Sequence, residues 1–265
     1  MTKIRESCHL INKFAKFVQK NDKYSNMKHL LTLLLMTIGL TSYAQKFQSD
    51  KFSLPSGKEL GITFIKHGTL MLSYDGHTIH IDPVGMYADY SQLPKADLIL
   101  ITHQHGDHLD KEAIATLSTP DTRLIVTSTV NQQLNKGEIY ENGQVKRPFP
   151  WLMIETVPAY NTTPDRQKFH PKGRDNAYVL NIEDQRIYIA GDTEDIPEMK
   201  HLKDIDIAFL PVNQPYTMTL EQALNAARIV RPTILYPYHY NDTKVEELVA
   251  PLKEEGIEVR IRDLQ

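Results

Sequence analysis

Along the chain, apolar positions come in short runs separated by turn residues, and the runs change character part-way. Leu60 to Ile65, Leu70 to Tyr74 and His77 to Ile81 are strand-like, with Asp75-Gly76 as a tight hairpin between the last two. They predict an opening β-meander, closed by Asp82-Pro83, because proline cannot continue a central ladder. Further on, strand-like runs alternate with helical patterns. Asp97 to Ile101 precedes a helix over Leu109 to Leu117, and Arg123 to Thr127 is followed by a polar, turn-rich stretch from Lys136 to Pro150. Leu152 to Val157, Tyr178 to Ile182, Arg186 to Ala190, Asp204 to Leu210 and Thr233 to Tyr236 are further strands, and Ile257 to Ile261 closes the chain. Thr219 and Gln222 form a capping box ahead of a helix with Leu220, Ala223, Leu224 and Ala227 at helical spacing, and Thr243 with Glu246 is read as the cap of the last helix. With no repeat or linker after residue 45, a single domain over residues 45–265 is expected.

The N-terminus alters the picture of the mature chain. Met27-Lys28-His29, the apolar block Leu30 to Leu40, and Ser42-Tyr43-Ala44 have the layout of a secretory signal peptide, with Met27 as the expected true start and residues 1–44 removed. An apolar block of that length falls short of the roughly 20 residues a spanning helix needs. Without residues 1–44, 23 basic side chains face 31 acidic ones, a net charge of −8 against −3 for the whole chain. Phosphate attraction dominates nucleic-acid affinity, so nucleic acid is excluded as the expected partner. The sole cysteine, Cys8, falls in the removed segment, which leaves no disulfide, thiolate nucleophile or cysteine ligand. The expectation is a soluble exported protein, periplasmic or secreted, with no integral membrane segment in the mature chain.

The chemistry gathers at strand ends. Directly after the apolar run Asp97 to Ile101 come His103, His105, Asp107 and His108, in the order His-x-His-x-Asp-His. Imidazole and carboxylate are the donors that Zn²⁺ and similar divalent ions prefer. Two later strands end in Gly191-Asp192-Thr193 and Pro237-Tyr238-His239. Alone, Asp192 reads as a common turn residue and His239 as a core histidine. Beside the histidine run, both become ligand candidates. His67, His77 and His80 share no spacing and are read as strand-face or core histidines. A structureless loop from Asn161 to Asn176 carries His170, Lys172 and Arg174, and loops of that length in compact domains are usually functional or disordered.

The His-x-His-x-Asp-His run resembles the signature of the metallo-β-lactamase superfamily. With Gly61 to Gly68, Asp82-Pro83, Pro158-Ala159, Gly191-Asp192-Thr193 and His239, the chain is similar to the branch of L-ascorbate-6-phosphate lactonase and N-acyl-phosphatidylethanolamine-hydrolysing phospholipase D. The resemblance implies a four-layer αββα sandwich, α/β in class, with metals at one edge between two sheets. It implies that His103 and His105 hold a first ion, that Asp107, His108 and His239 hold a second, and that Asp192 bridges them. Asn161 stands where the family supplies a third histidine to the first ion, and His170 is the candidate replacement. Two divalent ions, Zn²⁺ first and Mn²⁺ second, would activate a water between them to hydrolyse a phosphodiester, lactone or other ester. Asp107 would be both ligand and proton acceptor, while Lys172 and Arg174 would bind a substrate phosphate or carboxylate. The expected partner is a small-molecule or lipid-like ester. The lack of a cysteine ligand argues against the β-lactamase subgroups that use one. A di-iron redox role on the same fold would call for extra carboxylates and a flavin domain, neither of which is in the sequence. The remaining alternative is a metal-binding protein of this fold whose activity is lost or non-hydrolytic.

Overall fold

The computed structural model describes residues 47–265; the expected signal segment 1–44, with Met27, lies outside the described residues. The chain builds two seven-stranded sheets in turn, and both follow one plan. In the first, β1 (Gln48–Ser53), β2 (Glu59–Lys66), β3 (Thr69–Tyr74) and β4 (His77–Ile81) form an antiparallel meander. Then β5 (Leu98–Leu100), β6 (Arg123–Val126) and β7 (Glu138–Ile139) add in parallel. The second repeats this with antiparallel β8 (Val145–Phe149), β9 (Leu152–Ala159), β10 (Asp175–Ile182) and β11 (Gln185–Ile189). Parallel β12 (Ile207–Pro211), β13 (Ile234–Tyr238) and β14 (Glu258–Val259) complete it.

Parallel neighbours need crossovers, and the helices serve as those crossovers. α1 (Lys111–Leu117) joins β5 to β6, α2 (Ser128–Leu134) joins β6 to β7, α3 (Leu220–Val230) joins β12 to β13, and α4 (Val249–Glu254) leads into β14. The Asp75-Gly76 hairpin has both residues at positive φ, 49° and 83°, as a two-residue type I′ turn requires. Strand alternation then sorts side chains between layers. Leu98 and Leu100 of β5 join the core between the sheets, with Ile62, Phe64, Leu72 and Ile81. Ile99 and Ile101 point the other way, into a second apolar cluster with Ala113, Ile114 and Leu117 of α1 and Val130 of α2. Strands β12 and β13 are buried along their whole length, as expected where a helix covers one face and a sheet the other. The layers are therefore helix, sheet, sheet, helix, the αββα sandwich.

Local differences from the sequence reading have identifiable causes. The first helix begins at Lys111, because the Asp110 carboxylate accepts from the Glu112 and Ala113 N–H groups and caps it. The Thr219–Gln222 capping box forms. The Thr243–Glu246 cap does not: a 3₁₀ turn over Val245–Leu248 starts at Lys244 without a side-chain cap, and α4 continues from it. Strand β1 gives no apolar signal, since only Phe52 in Gln-Ser-Asp-Lys-Phe-Ser is apolar. What holds it is its ladder to β2 and Asp50, which takes the Arg262 guanidinium at 2.7 Å.

Candidate metal centre

Strands β2, β4 and β5 run in the same direction in the first sheet, as do β9, β11, β12 and β13 in the second. The polar residues that gather at one edge of the sandwich follow the C-terminal ends of these strands. His67 follows β2, Asp82 follows β4 and His239 follows β13, each as the next residue; His103 to His108 follow β5 and Asp192 follows β11. His170 comes from the loop between β9 and β10. His67, Asp82 and His239 all have left-handed backbone, at φ 54°, 44° and 49°. That conformation costs a non-glycine residue roughly 1–2 kcal/mol, and it turns each side chain sharply off its strand into the edge. Gly68 is required next to His67, because a Cβ there would stand 2.6 Å from Cε1 of His108.

Two groups of donors result. His103, His105, His170 and Asp192 form one, and His67, Asp107, His108 and His239 the other; within each group the donor atoms lie within 4.8 Å of one another. In the first, Nδ1 of His105 is 3.1 Å from Nε2 of His103 and 3.2 Å from Nε2 of His170, which is 3.3 Å from Oδ2 of Asp192. In the second, Oδ2 of Asp107 is 3.3 Å from Nε2 of His67 and 3.5 Å from Nε2 of His239. Asp192 touches both groups, with its other oxygen 3.3 Å from Nε2 of His108 and Oδ2 3.3 Å from Nε2 of His239. Tetrahedral ligands at the usual Zn–N distance would stand about 3.3 Å apart. Nε2 of His108, Nε2 of His239 and Oδ1 of Asp192 are buried and make no hydrogen bond. Buried polar atoms are rarely left so. The donor set therefore fits divalent ions.

The far side of most rings is held. Nδ1–H of His108 donates to Oδ2 of Asp82 at 2.7 Å, and Asp82 also accepts from the Thr102 N–H (2.7 Å) and hydroxyl (2.6 Å). That hydroxyl accepts from Nδ1–H of His103 at 3.0 Å. Nδ1–H of His170 donates to the Tyr216 carbonyl at 3.1 Å, and the Asn213 amide lies 3.4 Å from Nδ1 of His239. The bonds of His108, His103 and His170 each fix a tautomer that leaves Nε2 with a free lone pair for a metal.

The matched family model, described as the beta-lactamase superfamily domain, covers residues 61–239, most of the sandwich and all eight donors. The chain belongs to the metallo-β-lactamase superfamily. Within it, the chain is 33% identical over 192 residues to a UPF0173 metal-dependent hydrolase of Ligilactobacillus salivarius, an alignment spanning 68% of this chain and 84% of that one. It is similar to a crystal structure from Parabacteroides distasonis, provisionally described as a metal-dependent hydrolase, at 61% identity and TM-score 0.82, covering 83% of this chain and 100% of that one. A metallo hydrolase from the archaeon Ignicoccus hospitalis is 26% identical, with TM-score 0.65, over 77% of this chain and 95% of that one.

In this metallo-β-lactamase fold, His103, His105, Asp107, His108, His170, Asp192 and His239 all come to the edge. His67, read from the sequence as a strand-face or core histidine, joins them. Its signal was positional: it stands directly after a strand that runs parallel to the one leading to Asp82. His77 and His80 lie elsewhere, His77 stacked on Trp151 with ring centroids 4.6 Å apart and His80 buried against the Pro94 carbonyl. Asn161 is not in either donor group. Its amide donates to the carbonyls of Tyr216 (2.8 Å) and Arg166 (3.2 Å), and its N–H to the His170 carbonyl (2.8 Å), so it braces the segment that presents His170. Neither Lys172 nor Arg174 lines the cleft above the donors. Lys172 is held by Glu198 at 2.7 Å, and Arg174 forms a two-pronged pair with buried Asp175, both contacts at 2.7 Å.

Electrostatics divide the donors. Burial, assisted by like-charged neighbouring histidines, holds His103 well below its ordinary pKa and lowers His105 to about 4; burial also lowers His67. These rings are neutral at physiological pH. Burial would raise Asp107 and Asp192, but His239 and His67 hold Asp107 far down, and His239 and His108 hold Asp192 down. Burial opposes a charge on His108 and His239, yet the Asp192 and Asp82 carboxylates push His108 well up, and Asp192 and Asp107 push His239 up to about 9. Metal binding would replace those protons and release them.

Proposed function

We propose that this metal-dependent hydrolase is dinuclear and cleaves an ester, with lactones and phosphodiesters as the candidate bonds and Zn²⁺ ahead of Mn²⁺ as its metal. What carries the reading is the set of donor separations of 3.1–3.8 Å among atoms of which several lack any protein partner. His103, His105 and His170 would hold one ion and His67, Asp107, His108 and His239 the other, with Asp192 shared. Bound there, divalent ions polarise the ester and supply a nucleophilic oxygen from water at neutral pH. The remaining roles fall to the chain. Asp107 is the more exposed carboxylate, its side chain 40% accessible against 3% for Asp192, so it is the one able to orient a water and accept its proton. Asp82, Thr102 and the Tyr216 carbonyl keep the rings aimed. The same reading keeps the lactonase and phospholipase D branch as nearest in chemistry. It also keeps export, with a mature domain over residues 45–265 in the periplasm or outside the cell; the mass of the protein in each cell fraction tests that part.

The experiment is elemental analysis of the purified protein beside hydrolysis of lactone, aryl ester and phosphodiester substrates with Zn²⁺ or Mn²⁺. Two ions per chain and metal-dependent turnover, lost in Asp107→Ala and Asp192→Ala, are expected. Unchanged turnover in either variant would overturn the proposal.

A further inference from the structure

The cleft above the donors encloses about 410 Å³. Beyond the histidines and the two aspartates it is lined by Phe169, Asn213, Tyr216 and Asn241. Phe169 and Tyr216 meet edge to face, with centroids 5.0 Å apart and rings at 71°, and Tyr216 is 45% exposed. Among the described residues, no lysine or arginine lines the cleft. Three cations of the neighbouring loop are each paired with a carboxylate: Arg166 faces Glu194 at 3.6 Å, Arg174 is paired with Asp175, and Lys172 with Glu198. The exposed Lys168 ammonium sits 5.2 Å from the centre of the Phe169 ring. Charged phosphoryl and carboxylate groups are gripped by Arg, Lys or metal-ion clamps; with no side-chain cation on the rim, the part of a substrate beyond the ions meets aromatic rings and side-chain amides, which suit uncharged groups.

We infer that the substrate is a carboxylic ester or lactone with an uncharged, apolar substituent, and that Phe169 and Tyr216 form the subsite for that substituent. This rests on the dinuclear hydrolase reading above and narrows it. In the reaction, an oxygen from water bonds to the acyl carbon, the acyl C–O bond breaks, and the departing alkoxide takes a proton. A lactone gives the hydroxy acid, and an open ester gives acid and alcohol. The Phe169–Tyr216 wall acts only on the substituent, so it sets which ester binds rather than how the bond breaks.

The test compares matched γ-lactones with the metal-loaded full chain: one bearing a hexyl group, one bearing a carboxylate-ended chain of equal length, and the unsubstituted ring, beside bis(4-nitrophenyl) phosphate. The hexyl lactone should exceed the carboxylate lactone in kcat/KM by at least about 10-fold, the scale of a few apolar contacts. Phe169→Ala and Tyr216→Ala should each lower the ratio of hexyl to unsubstituted kcat/KM by about 10-fold. Tyr216→Arg, at a half-exposed position, should reverse the preference towards the carboxylate lactone. A wild-type preference for the carboxylate lactone, lost in Lys168→Ala, would overturn the inference and name Lys168 as the anchor. Turnover of the phosphodiester with none of any lactone would overturn it while leaving the hydrolase reading intact. No turnover of any of the four compounds would instead strike at that underlying reading.

Discussion

Asp82 is the most informative residue to change, because it touches no candidate ion yet holds rings of both donor groups. Its carboxylate accepts three hydrogen bonds: the Thr102 N–H at 2.7 Å, the Thr102 hydroxyl at 2.6 Å and Nδ1–H of His108 at 2.7 Å. Asp82→Asn preserves the shape but replaces one acceptor oxygen with an N–H donor. Oδ1 can keep the Thr102 amide. The oxygen facing His108 cannot be kept at the same time, so Nδ1 of His108 must give up its proton and accept. The proton then moves to Nε2, the atom that faces Asp192 at 3.3 Å and would carry the metal-binding lone pair. A hydrogen bond to a buried charged group is worth about 1.5–3 kcal/mol. At about 1.4 kcal/mol per tenfold, that is roughly 10- to 100-fold in affinity, the usual cost of removing an orienting partner. On the dinuclear reading, competition against a fluorescent chelator should therefore show Asp82→Asn binding one ion about 10- to 100-fold more weakly. The other ion should weaken less, through the Thr102–His103 contact alone. Affinities within threefold of wild type for both ions would refute the assignment of Asp82 as the group that sets the His108 tautomer.

On the dinuclear reading, His67→Ala should reduce the bound metal from two ions per chain to about one, measured by elemental analysis after gel filtration, since His67 belongs to one donor group only; two firmly held ions would return it to a packing role. Asn161→Ala removes the donor to the Tyr216 carbonyl that fixes His170. It should cost about 1–3 kcal/mol in urea unfolding of the metal-free protein and weaken one ion by up to about 10-fold, and unaltered metal affinity would show that the brace is not needed. His80, buried away from the centre, has its pKa lowered to about 4 by burial, the Pro94 carbonyl opposing weakly. Its unfolded value is about 6.5. The unfolded chain therefore takes up the proton first, and stability that is full above pH 6.5 is lost as pH falls towards 4. At pH 5 the loss is about 2 kcal/mol. Urea unfolding at pH 7 and pH 5 should show that difference shrinking in His80→Gln, and parallel pH profiles for the two proteins would contradict it.

The donor groups were readable in the sequence wherever candidate ligands cluster or follow an apolar run. His103 to His108 announce themselves by density, and Asp192 and His239 by ending buried strands. His170 was readable from its long loop, and became a ligand candidate because Asn161 stood at a position where the resemblance asks for histidine. The helix α2 and the short strands β7 and β8 were not readable, because their polar sequences owe their conformation to the Thr127 cap and to pairing with neighbours rather than to an apolar period. The ion pairs of Lys172 and Arg174 were unreadable for a related reason. Their nearness in sequence to His170 says nothing of the carboxylates of Glu198 and Asp175, which reach them from elsewhere or from the next residue and pair with them.

His67 shows what kind of reasoning would have closed the gap. Taken alone it is one histidine in a turn between two meander strands. In an antiparallel meander, however, every second strand runs the same way, so the ends of β2 and β4 must emerge on the same edge as the end of β5 once β4 and β5 pair in parallel. The same parity places the ends of β9, β11 and β13 together in the other sheet. A polar residue directly after any of these strands is thus a candidate for the centre, whereas His77, at the start of β4, is carried to the opposite edge and stacks on Trp151 there. The left-handed backbone at His67, Asp82 and His239 marks the same three places, where the chain leaves a strand and bends its next side chain inward at some cost in backbone strain. Strand parity thus sorts the candidate ligands from the bystanders among histidines that composition and spacing treat alike.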